Sequence, residues 1–99
     1  MELSTEDVVT LVTCLEFLKS DYINTLSFSE QMRNLGDANS AIEKLKSPYS
    51  QIHKNESRVI QASLLHMQLF LSESGVPALP GDPLNIYDLE RLYPIFEVV

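Results

Sequence analysis

Apolar residues recur at helical spacing along most of this chain, and one segment carries them on nearly every side. In residues 55–75, NESRVIQASLLHMQLFLSESG, a turn of about 100° per residue sets Ile60, Leu64, Met67 and Leu71 on one face. Val59 and Phe70 widen it. Ala62, Leu65 and Leu69 form a second apolar face, and Gln61, Gln68 and Ser72 leave only a narrow polar strip. Asn55 suits an N-cap, Glu56 suits the positive end of the helix dipole, and Gly75 with Pro77 beyond it makes a stop. A helix of this kind, over about 56–74, must be covered on most sides by its own domain or by a partner.

Shorter helical patterns surround it. Ser4 with Asp7 three residues on predicts a capping box, opening a helix to about residue 23 or 24. Its stripe is Val8, Leu11, Val12, Leu15, Leu18 and Tyr22. Phe17 falls off that stripe and is expected to be covered by the C-terminal segment. Ser27 and Glu30 predict a second box, followed by Phe28, Met32 and Leu35 and then Ala38, Ala41, Ile42 and Leu45. Gly36 leaves open whether this is one helix over 28–46 or two. Ser47–Pro48 ends it, since the residue before a proline is pushed out of the α region. Residues 75–83, GVPALPGDP, predict a loop, with Asp82 and Pro83 as N-cap and N1 of a short helix carrying Leu84, Ile86, Leu89, Leu92 and Tyr93. Pro94 stops that helix, and an apolar tail follows at 95–99. The pattern predicts an all-α fold: a single domain, 1–99, built as a bundle of four or five helices around the central apolar one.

With 44% hydrophobic and 21% charged residues, the chain has enough apolar side chains for one core and too few charges for a disordered segment. The net charge of −7 is unevenly spread: residues 1–24 sum to −4, residues 25–60 to +1, and residues 61–99 to −4. Two acidic ends disfavour nucleic acid as the ligand, because duplex binding draws on clustered Lys and Arg. They favour a basic protein partner, which acidic surfaces attract and steer. A helix-turn-helix regulator, with Lys44, Lys46, Lys54 and Arg58 as a small basic patch, ranks third. Its recognition helix would offer only Arg58, Gln61 and Gln68 to the groove.

Little in the chain points to catalysis. The glycines at 36, 75 and 81 form no phosphate loop, and one cysteine with two distant histidines forms no zinc site. No cofactor or metal is expected, and no enzyme. His66 is expected to be a satisfied core histidine, and Cys14 a packing residue. The N-terminus lacks a basic region followed by an apolar one, and no apolar run reaches the ~20 residues of a membrane span, so a cytoplasmic setting is expected.

The leading expectation is a small acidic binding module of the inhibitor, immunity, antitoxin or anti-defence type, masking a basic partner protein. Tyrosines among carboxylates combine contact area with charge. The partner-binding candidates are therefore Asp82, Tyr87, Asp88, Glu90 and Tyr93, then Glu2, Glu6 and Asp7. The alternative is a self-associating helical regulator or scaffold. A homo-oligomer is expected in either case, because the central helix is apolar on two faces.

Overall fold

The computed structural model describes residues 3–47, 51–74 and 86–97. Its helices are α1 (Thr5–Asp21), α2 (Phe28–Lys46), α3 (Lys54–Ser74) and α4 (Ile86–Leu92), with 3-10 turns at Ile23–Thr25 and Tyr93–Phe96. The fold is the all-α bundle that the pattern predicts, and α3 packs against each of the other three helices.

α1 starts at its capping box. The Asp7 N–H donates to Ser4 Oγ at 3.0 Å, and the Ser4 N–H donates to Asp7 Oδ2 at 3.3 Å. It ends at Asp21, short of the expected 23 or 24. Beyond it, the Asn24 and Thr25 side chains donate to the Ser20 and Tyr22 carbonyls, a local pairing that competes with helix. The buried arc holds Thr10, Leu11, Cys14, Leu15 and Leu18. It is turned about 60° from the predicted stripe, because α1 packs on both α2 and α3. Thr10 tolerates burial since its hydroxyl donates to the Glu6 carbonyl at 3.0 Å.

α2 runs unbroken through Gly36. Ser27 is its N-cap in backbone conformation, but the hydroxyl makes no cap hydrogen bond, so the expected Ser27–Glu30 box does not form. Ala38, Ala41, Ile42 and Leu45 are buried, whereas Phe28 and Met32 are 78% and 57% exposed. The two sets point about 110° apart on one continuous helix, and only the second faces the core.

α3 begins at Lys54, and Asn55 lies inside its first turn instead of capping it. The Asn55 amide reaches across to Asp37 Oδ1 at 2.8 Å. Ile60, Leu64, Met67 and Leu71 form the centre of the core, as the pattern predicts, with Val59 beside them. The other two sides of α3 are reversed. The second apolar face is bare, with Ala62 exposed, Leu65 45% exposed and Leu69 61% exposed. Gln61 and Gln68, from the supposed polar strip, are half-buried. The Gln61 amide donates to the Tyr93 carbonyl at 3.2 Å, so the chain after α4 docks on that side and the two polar groups satisfy each other.

Leu89 and Leu92 of α4 and Phe96 of the following turn complete the core. Pro94 sits in the first turn of that 3-10 segment, where its missing N–H costs nothing. Phe17 packs on α3: its ring lies 4.9 Å from Phe70 and 5.4 Å from His66, centroid to centroid. The predicted 75–83 loop, the Asp82–Pro83 helix start and the Pro48 turn lie outside the described residues.

Candidate protein-interaction surface

Arg91 links two of the acidic candidates, Asp7 and Asp88. It follows Asp88 by three residues on α4, one helical turn, and its Nη2 lies 3.5 Å from Asp88 Oδ1. The same nitrogen lies 2.6 Å from Asp7 Oδ1 in the first turn of α1. One guanidinium, 84 positions from Asp7 in the sequence, thus joins the carboxylates of Asp7 and Asp88. The hydrogen bond from Arg91 is the main influence lowering the Asp7 pKa. Partial burial opposes it, and the Ser4 bonds add to it. Asp7 in turn is the main reason that Arg91 holds its proton more tightly than an ordinary arginine.

The sequence candidates take different places around this bridge. Asp7 is engaged twice, as helix cap and as ion-pair partner, and is mostly covered. Asp88 is half-exposed beside Arg91. Glu6 and Glu90 are exposed, and Tyr87 is 70% exposed. Tyr93 is half-buried, and its carbonyl is held by Gln61, so it fastens the last turn to α3. Glu2 and Asp82 lie outside the described residues. Sequence reasoning passed over Arg91. Its signal was being the lone cation of residues 61–99, one turn from an acid.

Two further polar clusters lie elsewhere. Glu56, only 2% exposed, accepts from Lys44 Nζ at 2.7 Å, from the His53 N–H at 2.7 Å and from the Ser40 hydroxyl. Burial works to raise its pKa, but these three donors and the Lys44 charge outweigh it and bring it from 4.5 to about 2. Lys44 is therefore committed to the α2–α3 junction and is withdrawn from any basic patch. His66, expected in the core, is instead partly exposed, with Nε2 2.7 Å from Asp21 Oδ2 and its ring against Phe17 and Tyr22. Cys14 is fully buried, and burial pushes its thiol up to about 12, which keeps it protonated and inert.

Among the described residues, no group of three or more His, Cys, Asp and Glu side chains could hold a metal ion, and no helix is long and apolar enough to cross a membrane. No protein-family model matches the chain, and no curated protein or solved structure matches it at a significant level.

Proposed function

We propose that the chain is a non-enzymatic binding module whose acidic face masks a basic protein partner. The observation that carries this is the Asp7–Arg91–Asp88 bridge. It brings acids of two distant segments to one guanidinium, and Glu6 in the first turn of α1 and Tyr87 and Glu90 on α4 are exposed. A surface of net negative charge steers a positively charged partner, and an exposed tyrosine on the same helix supplies contact area at low entropic cost. Masking of this kind is the work of inhibitors and antitoxins, and it needs no cofactor.

The test uses Glu6→Lys with Glu90→Lys, two exposed positions that carry no ion pair among the described residues. The variant should weaken capture of the basic partner from host extract at least about tenfold, as juxtaposed like charges do at interfaces. Its helical circular dichroism should be unchanged. The control is Arg33→Glu with Lys46→Glu, both exposed on α2. Loss of the partner by the control and retention by the acidic-face variant would reject the proposal and favour nucleic acid or another surface.

A further inference from the structure

On the side of α3 away from the core, Arg58, Ala62, Leu65, Leu69 and Ser72 are all exposed. Their spacing alternates between four and three residues, the pattern of a two-helix seam. The charges along this face oppose the helix's own field. Lys54 and Arg58 stand toward the N-terminus, while Glu73 stands in the last turn, which holds no basic residue. A helix favours the reverse, anions first and cations last. Neither Arg58 nor Glu73 has an ion pair among the described residues.

We propose that this face pairs antiparallel with the same face of a second copy of the chain. A two-fold axis between Leu65 and Leu69 sets each leucine against the other leucine of the second copy, with the small Ala62 and Ser72 flanking them. The same operation carries Arg58 to the acidic end of the opposing helix, about one turn along the axis from Glu73, and opposes the two helix dipoles. Parallel pairing would stack Arg58 on Arg58 and Glu73 on Glu73, so the charges select the antiparallel arrangement. A different, basic partner would be repelled by Lys54 and Arg58 here and drawn to the acidic face. The seam from Arg58 to Ser72 is only ~22 Å long. That is short of a standard interface, so the dimer should dissociate at roughly micromolar concentration.

Sedimentation equilibrium from about 1 μM to about 1 mM spans that range. Wild type should pass from monomer to dimer. Leu65→Ser with Leu69→Ser should stay monomeric and keep its helical circular dichroism, since both side chains already meet water. Arg58→Glu should raise the dissociation constant at least about tenfold, and adding Glu73→Arg should bring it back to within about threefold of wild type. If the leucine variant does not fold, the charge series decides alone. A wild type monomeric throughout, a dimer indifferent to the leucines, or a double charge swap no better than Arg58→Glu would each overturn the pairing.

Discussion

Glu56→Gln probes the α2–α3 junction through charge alone, because the amide keeps the shape of the carboxylate. Glu56 is almost wholly buried and its pKa falls from 4.5 to about 2 on folding. At 1.36 kcal/mol per unit, this corresponds to about 3 kcal/mol of stability at pH 7. The folded value is the lower one, so the contribution is present above the unfolded pKa of 4.5 and drains away as pH falls through about 2. At pH 3 about 1 kcal/mol of it should remain. Urea denaturation of wild type and variant at both pH values gives the comparison, and the other carboxylates, Asp7 included, cancel in the difference. The variant should be less stable by about 3 kcal/mol at pH 7 and by about 1 at pH 3. A gap below about 0.5 kcal/mol at pH 7, or one that does not shrink with acid, would refute the account of Glu56 as a carboxylate held ionised by Lys44, Ser40 and the His53 N–H.

Gly36→Ala should stabilise the chain by about 0.5–1 kcal/mol in thermal or urea melts, since Gly36 lies inside α2 and an added Cβ meets nothing within 4 Å. Leu64→Ala, at the fully buried centre of α3, should cost about 2–5 kcal/mol by the same measurements. Cys14 should react with a thiol reagent no faster than the chain unfolds, because the thiol is buried and held protonated by its surroundings.

Some features that depend on one helix alone were legible, although the Ser27–Glu30 box and the Asn55 cap did not form. The Ser4–Asp7 box and the line Ile60, Leu64, Met67, Leu71 are local properties, and the structure carries both. Periodicity misled where burial depends on which neighbour arrives. Phe28 and Met32 form as good a stripe as Ala38 to Leu45, yet only the second set meets neighbours that bury it. Gln61 looked like surface and became half-buried, because a backbone carbonyl 32 residues away needed its amide. The acidic face shows the same division. The carboxylates were evident in the charge distribution, but their union through Arg91 depends on α4 folding back onto the start of α1. The Glu56 network was hidden for a related reason: an acid at the start of a helix has a sufficient local explanation, and Lys44 lies 12 positions away on another element.

The acidic face and the α3 seam share no residue and differ in chemistry, so salt should separate them. Partner binding through Glu6, Asp88 and Glu90 would rest on charge, and raising salt from about 50 to about 500 mM shortens the screening length from ~14 Å to ~4 Å. Binding to a basic partner should fall steeply over that range. Self-pairing responds differently. Each chain carries a net charge of −7, and salt screens the repulsion between two such bodies while leaving the contact of Leu65 and Leu69 intact. Part of the Arg58–Glu73 attraction is lost, but a rim ion pair contributes only about 0–1 kcal/mol. The dimer should therefore hold or tighten as the partner is released. Sedimentation and pull-down at the same salt concentrations measure both. A dimer that dissociates in step with the partner would mean that the acidic face, and not the seam, holds the two copies together.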